Sequence, residues 1–360
     1  MPKKASSARK LRYRPQAAAL EVTLRCDMSC RHCGSDASRR ERPDALSFAD
    51  WCGVVDELKK LKVPHCTLSG GEPFLYPRWR DLVLHIRSRG LGVNFISNGY
   101  NITEDDMRFM KGAQVEHVGV SLDGDEPTHD HIRCKPGSFA KVVRLFALGR
   151  EYGVPVYPAT SINKLNFPVR ENILQVVLDN KVRAWQVQIV NSFGRAGRLK
   201  DKMLLDPEQF TQLCDDVLRW QKAHGPGLRI MAADSLGYCH PVTDAILGDC
   251  EWQGCNAGMY VLGIQADGTV LGCLSLQDKA FAAGNVRARP LSEIWNDDQA
   301  FAYTRRHDPS LLEGACKACG KAAVCKAGCL GMAFSTSGTI GRNPYCYKAI
   351  VEAGPSPRRP

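Results

Sequence analysis

The sequence predicts an α/β protein, a partial (β/α)6 barrel of the TIM type followed by a small, loop-rich, cysteine-rich domain. Three observations carry this. From about residue 17 to 230, short β-rich runs alternate with helical patterns, the arrangement that builds βαβ units and a parallel sheet. Six such units are visible, short of the eight in a closed barrel. After residue 230 the alternation stops, and the stretch 250–346 holds eight of the chain's sixteen cysteines.

The elements follow in order. Ala18–Leu24 reads as the first strand. Ser47 with Asp50 three residues later gives a capping-box start to the first helix. Cys66–Ser69 is a short second strand, with a helix after it through Trp79–Arg89. Gly92–Ser97, Val115–Leu122, Val154–Ser161 and Trp185–Val190 are four further strands with helical stretches between them. The expected division is a basic tail over 1–16, the barrel over 17–230, a linker over 231–249, the cysteine-rich domain over 250–350 and a tail over 351–360.

Composition narrows the function classes. A 360-residue chain buries a full core, so its cysteines are not the staples of a small secreted domain. With 44% hydrophobic and 24% charged residues the chain is globular rather than disordered. No apolar run approaches the ~18 residues of a membrane span. No apolar segment backs the basic N-terminus as a signal peptide would require, so a cytoplasmic chain is expected. Thiols in that compartment point to metal or redox chemistry. The net charge of +10 sits largely at the ends: Lys3, Lys4, Arg9, Lys10, Arg12 and Arg14 precede any acid, and Arg358 and Arg359 lie near the other terminus. The body between is nearly neutral, and no nucleic-acid partner is inferred.

Directly after the first strand come Cys26, Cys30 and Cys33, spaced C-x3-C-x2-C. Three thiolates on one loop hold three irons of a [4Fe–4S] cluster and leave the fourth iron open. Zinc is the alternative. It would need a fourth ligand, for which His32 is badly placed between two of the cysteines. Further along, Ser69-Gly70-Gly71-Glu72-Pro73 follows the second strand. Its glycines let the backbone approach a ligand, and Glu72 offers an acceptor to a cation. Ser97-Asn98-Gly99 ends the third strand, Ser121-Leu122-Asp123-Gly124 ends the fourth, and His131-Ile132-Arg133 precedes Gly137-Ser138-Phe139.

With this frame, residues 18 to about 190 resemble the radical S-adenosylmethionine (radical SAM) superfamily. The resemblance implies that Cys26, Cys30 and Cys33 hold the catalytic cluster. Ser69, Gly70, Gly71, Glu72 and Pro73 would line the methionine amino group of SAM. Ser97, Asn98, Ser121 and Asp123 would lie along its ribose or carboxylate. Arg133 would pair with the carboxylate, for which a guanidinium is suited; a surface ion pair is its other reading. His32 would take the place of an aromatic ring near the adenine. In this family an electron from the cluster splits a carbon–sulfur bond of SAM, and the resulting 5′-deoxyadenosyl radical abstracts hydrogen from the substrate.

The C-terminal cysteines are similar to the SPASM extension of that superfamily. Cys255 is followed by Gly268 and Cys273, then by Cys316-x2-Cys319-x5-Cys325-x3-Cys329 and Cys346, with Cys250 before them all. The resemblance assigns Cys250, Cys255, Cys273 and Cys329 to a first auxiliary [4Fe–4S] cluster and Cys316, Cys319, Cys325 and Cys346 to a second, three clusters in all; two four-cysteine zinc sites are the alternative. Full ligation favours electron acceptance or relay over direct substrate binding. Of the remaining cysteines, Cys52, Cys66 and Cys214 read as buried structural thiols, while Cys134 lies beside Arg133. Asp234, Tyr238, Cys239 and His240 lie between the two domains, facing the expected substrate opening. Turn and packing roles are favoured for them over proton or hydrogen-atom donation.

Most SPASM members act on peptides or proteins, so an oxidised or cross-linked post-translational modification is the expected product. Partners would be a peptide or protein substrate and a flavodoxin- or ferredoxin-type electron donor. Sulfatase maturation is disfavoured, because Gly34-Ser35-Asp36 follows Cys33 and Leu274 follows Cys273 where the sulfatase maturases differ. About sixteen residues precede the first strand, so a leader peptide would need a separate precursor-recognition protein or a direct groove. That leaves a small metabolite or cofactor precursor as the alternative substrate.

Overall fold

The computed structural model describes residues 13–233, 236, 238–247 and 253–354. Ten strands make one sheet: β1 (Ala17–Thr23), β2 (His65–Gly70), β3 (Gly92–Ser97), β4 (Val118–Ser121), β5 (Val156–Ile162), β6 (Ala184–Ile189), β7 (Arg229–Ala232), β8 (Val261–Ile264), β9 (Thr269–Leu271) and β10 (Gly284–Asn285). Their spatial order is β10-β9-β8-β1-β2-β3-β4-β5-β6-β7. β8 and β1 through β7 pair in parallel, and β9 and β10 close that edge as antiparallel strands. The sheet is an open, TIM-like barrel.

The six expected strands are present within a few residues of their expected ends. The capping box at Ser47 also forms: Ser47 Oγ accepts from the Asp50 amide, and the Asp50 carboxylate accepts from the Ser47 amide. A seventh parallel strand, β7, follows β6 and spans residue 230; four residues are too few to show a pattern in the sequence. The cysteine-rich domain is also hydrogen-bonded to the barrel, because β8 joins β1 in parallel with Ala17 opposite Val261. A pairing across more than two hundred residues leaves no local signal. The segment expected as a basic tail is anchored from Tyr13 onward: Trp295 Nε1 donates to the Tyr13 carbonyl at 3.0 Å and Arg14 donates to the Lys62 carbonyl at 2.9 Å. The rest of that tail, with Arg358 and Arg359, lies outside the described residues. The helix Tyr347–Ala353 crosses the boundary expected at 350.

Helices pack on the outer face of the sheet. Trp185 and Trp220 are fully buried and stack at 5.4 Å between centroids, with Trp185 Nε1 donating to Thr160 Oγ1 at 2.8 Å. Burial of one such side chain contributes roughly 2–3 kcal/mol. Along β5 and β6 buried and half-buried residues alternate. The half-buried Ser161 and Gln188 face inward and line a cavity at the C-terminal mouth of the barrel.

One buried pair joins the two halves of the sequence. Glu21 on β1 is 1% exposed and accepts from Arg42 at 2.6 and 3.3 Å and from the Ala266 amide at 3.2 Å. Burial raises the Glu21 pKa, and Arg42 opposes that rise without cancelling it. Arg42→Ala would leave a buried carboxylate without its counter-ion and should lower the unfolding free energy by about 3 kcal/mol. Adding Glu21→Gln should restore part of that loss; denaturant titration of the two variants measures both.

Candidate functional site

The three N-terminal cysteines sit on the loop leaving β1. Cys26 and Cys30 are each 7% exposed, Cys33 is half-buried, and Met28, Ala37, Leu24 and Tyr100 pack around them. The loop borrows its backbone bonds from elsewhere. The Cys26 amide donates to Ser38 O at 2.6 Å and the Arg31 amide to Ile132 O at 2.9 Å. Arg195 grips the same loop, with Nε on Cys30 O at 2.7 Å, Nη1 on Ala37 O at 2.7 Å and its own amide on Cys33 O at 2.9 Å. Asp36 ties Arg195 and Arg198 together. Gly194 adopts φ 54°, and a Cβ there would collide with the carbonyls of Cys33 and Gly34.

Beneath the thiols lies a buried charge cluster. Asp123 is fully buried and pairs with Arg133 Nη2 and with His32 Nε2, the latter at 3.3 Å, while its Oδ1 accepts from the Ser161 amide at 2.9 Å. Burial alone would raise the Asp123 carboxyl; Arg133, then His32, outweigh it and hold the group well below the usual carboxylate range. Arg133 Nη1 lies 3.7 Å from Cys30 Sγ. Arg133 is thus a buried partner of Asp123 and a thiol rather than a surface ion pair. Burial pushes Cys26 up to about 12 and raises Cys30, with Arg133 pulling Cys30 the other way. A metal or cluster bound by these thiols would release their protons. His32 Nδ1 and Arg133 Nε are buried without a hydrogen-bond partner, as suits a site completed by a bound group.

The segment from Ser69 to Pro73 crosses directly over the start of the cysteine loop. The Gly71 amide donates to Thr23 O and the Glu72 amide to Arg25 O, both at 2.8 Å. A Cβ on Gly71 would collide with the carbonyls of Leu24 and Arg25, so close backbone packing demands this glycine. Glu72 is buried, and its oxygens accept from Ser97 Oγ at 2.8 Å, the Asn98 amide at 2.7 Å and the Phe74 amide at 3.2 Å. Its carboxylate anchors the β3 end, where the sequence suggested an open acceptor. Pro73 is buried and opens a short 3-10 turn. Asn98 Nδ2 donates to Asp27 at 2.9 Å and lies 3.9 Å from Cys26 Sγ.

The cavity, about 280 Å3, opens between the cysteine loop, the strand ends and residues 274–277. His32, Ser69 and Gly70 line it; Ser121 does not. Sequence reasoning missed Glu21, Ser161, Gln188, Asn191 and Gln277 on its wall, because they carry no motif and meet only through the fold. Gln277 Nε2 donates to Ser35 Oγ at 2.9 Å and the Phe193 and Phe334 rings pack with centroids 6.5 Å apart, so the C-terminal segment forms one side of the mouth.

The auxiliary cysteines form two neighbourhoods. Cys255 packs with Leu276, Phe281 and Leu330, Cys255 and Cys273 both flank the Tyr303 hydroxyl, and Cys329 immediately precedes the helix Leu330–Ser337. Cys250 lies outside the described residues. In the second neighbourhood Cys316 interacts with Cys319 and Cys346, and Cys239 with Cys346 and Cys325. Among the described residues no three His, Cys, Asp or Glu side chains close on a single-ion position. Tyr238, Cys239 and His240 do not line the cavity, contrary to their expected placement. His240 has both ring nitrogens engaged, by Asp215 at 2.9 Å and by the Val242 amide at 3.0 Å. Asp234 lies outside the described residues. Cys66 and Cys214 are fully buried, Cys52 is half-buried and Cys134 is exposed.

Residues 20–175 match the family model described as the radical SAM superfamily, and residues 255–320 match the one described as an iron–sulfur cluster-binding domain, SPASM. The chain is a radical SAM enzyme with a SPASM domain. Its cofactors are accordingly [4Fe–4S] iron–sulfur and SAM. The AdoMet-dependent heme synthase of Nitratidesulfovibrio vulgaris is 27% identical over 92% of this chain and 92% of its own length. The PqqA peptide cyclase of Rhizobium meliloti is 26% identical over 93% of this chain and 88% of its own. Streptococcus suis SuiB, solved with its precursor peptide SuiA, superposes with a TM-score of 0.74 at 18% identity, covering 92% of this chain and 76% of SuiB. Among the described residues no helix is long and apolar enough to cross a membrane.

Two tests follow from this geometry. Arg195→Ala removes the side-chain bonds to the cysteine loop and should slow SAM cleavage about tenfold, equivalent to ~1.4 kcal/mol, read as 5′-deoxyadenosine formation. Burial raises Glu72 from 4.5 to about 7, so between those values the folded chain holds more protons than the unfolded one. Stability should therefore fall as pH rises from 4.5 through 7, by about 3 kcal/mol from this group. Urea unfolding of the SAM-free protein at several pH values should show that slope, and the Glu72→Gln variant should lack it.

Proposed function

We propose that this radical SAM/SPASM enzyme takes hydrogen from a side chain or backbone position of a peptide or protein and leaves an oxidised or cross-linked modification. The observation that carries this reading is the cavity wall. Among the described residues it presents uncharged polar groups, Ser35, Ser161, Gln188, Asn191 and Gln277, and neither Lys nor Arg. The Glu21 carboxylate on that wall is occupied by Arg42. A haem-type macrocycle brings carboxylates that need basic partners, whereas a peptide segment suits neutral hydrogen-bonding groups. The volume, about 280 Å3, lies just below the ~300–1,000 Å3 typical of ligand cavities. The peptide cyclase relative and the SuiB complex support the same class. The heme synthase relative supports the alternative of a small cofactor precursor.

Cys26, Cys30 and Cys33 would hold the first cluster, and the SPASM cysteines two more. When bound, these groups supply the electron that breaks the carbon–sulfur bond of SAM and an outlet for the electron the substrate loses after hydrogen abstraction. The chain's own contribution is placement. Asp123 fixes Arg133 beneath Cys30 and His32 at the cavity edge. Glu72 fixes the β3 end through Ser97 and Asn98. Gln277 against Ser35, with Phe193 against Phe334, narrows the mouth to water. The electron donor is expected to be of flavodoxin or ferredoxin type, in a cytoplasmic setting.

Anaerobically reconstituted protein given SAM and a strong reductant should form 5′-deoxyadenosine, and the variant with Cys26, Cys30 and Cys33 all changed to Ala should form none. A short peptide encoded beside this chain's gene should then emerge lighter by two hydrogen atoms in mass spectrometry. Turnover of a carboxylated tetrapyrrole with no change in any such peptide would favour the precursor alternative.

A further inference from the structure

A buried side-chain cation stands against one of the N-terminal thiols. Arg133 Nη1 lies 3.7 Å from Cys30 Sγ with the geometry of an N–H···S hydrogen bond, and Nη2 is held by the fully buried Asp123. Contacts on both sides fix the guanidinium there. Arg133 ends the helix Glu126–Arg133, and His129 of that helix accepts from the Asp123 amide through Nδ1 at 3.1 Å. The cysteine loop is bound to the last turn of the same helix. The Arg31 amide donates to Ile132 O at 2.9 Å, and Arg31 Nε donates to His131 O at 3.2 Å. Moving the guanidinium off Cys30 would break bonds to the strand end, to the loop or to both.

A guanidinium stays protonated in a protein, and burial removes the water that would screen it. We infer that Arg133 is a positioning residue that donates through Nη1 to the Cys30 sulfur and so raises the reduction potential of the first cluster. Hydrogen bonds to ligand sulfurs withdraw charge from a cluster and stabilise its reduced form. A higher potential eases reduction by the electron donor. The resemblance assigned Arg133 to the carboxylate of SAM instead. A carboxylate taken bidentately uses Nε with Nη2 or Nη1 with Nη2. Asp123 already occupies Nη2, the nitrogen common to both pairs, which leaves Nη1 for the sulfur. The inference rests on the reading of Cys30 as a ligand of the first cluster.

The test is a redox titration of the fully reconstituted enzyme without SAM, followed by electron paramagnetic resonance, with iron counted in each preparation. The signal that changes when SAM is added to a parallel sample marks the first cluster. Arg133→Lys keeps a charge beside Asp123 but has one nitrogen where the guanidinium uses two. It should retain its iron and move the first-cluster midpoint to more negative potential while the others stay. Arg133→Gln combined with Asp123→Asn removes the donor without stranding a buried carboxylate, and should move the same midpoint in the same direction. An unmoved midpoint at full iron in either variant would overturn the inference, and weaker SAM binding beside it would return Arg133 to the SAM carboxylate. Loss of about one cluster's iron in Arg133→Lys would also overturn it, because Arg133 would then build the site rather than tune it. Cys30→Ala should lose one cluster's iron; retention of all of it would remove the ligand reading itself, and this inference with it.

Discussion

The structure depends on holding a loop that cannot hold itself. The segment after β1 must present three thiols, two of them buried, at the mouth of a sheet, and in the stretch 26–38 it forms no helix or strand of its own. Its backbone is satisfied by Ile132 from one side, Arg195 from another, and the Gly71–Glu72 turn across its start. Unpaired backbone groups in such a buried place would be costly. The ends of β2, β4 and β6 are therefore shaped as much by this loop as by any ligand. The glycines of the β2 turn illustrate the point: steric contact with Thr23 at Gly70, and with Leu24 and Arg25 at Gly71, already requires them.

The legible parts of the fold were the locally encoded ones. Strand runs and the Ser47 capping box each lie within a few residues of sequence, and each appears where the pattern placed it. Arg133 had two readings because its environment is made by Asp123 and Cys30, which only the fold brings together. Glu21 looked like any strand residue until Arg42 and the Ala266 amide met it. β8 reads as part of a loop-rich region because four residues are too few to show a period, and its partner strand lies at the far end of the chain. Cys239 was recognised as unusual but placed at the wrong opening, since nothing local says that the segment folds back onto Cys346.

The continuity of the sheet bears on how the two cofactor regions work together. A detached auxiliary domain would need to dock before electrons could pass between it and the barrel. Here β8 is hydrogen-bonded to β1, Glu21 is tied to the β8–β9 turn, and the Ser192 amide donates to Ser335 Oγ at 3.3 Å beside the Phe193–Phe334 pair. The first-cluster loop is gripped by Arg195, three residues from Ser192. The cysteine loop and the helix Leu330–Ser337 are therefore fixed to the same short segment.

That shared segment also explains why the cavity wall is neutral while charge is concentrated just beneath it. Asp123, Arg133 and His32 neutralise one another under Cys30, and Glu21 is spent on Arg42. What reaches the cavity is amide and hydroxyl, with the His32 ring and apolar side chains beside them. A substrate entering there meets groups that orient it by hydrogen bonds without competing with the charges that position the thiols. On the proposed reading, selectivity and cluster placement fall to different groups on the same strand ends: Ser161 donates its amide to Asp123 while its hydroxyl accepts from Gln188 on the wall. Substituting Gln188 should therefore alter which substrate is accepted before it alters the cluster, because the bond that holds Asp123 belongs to the backbone.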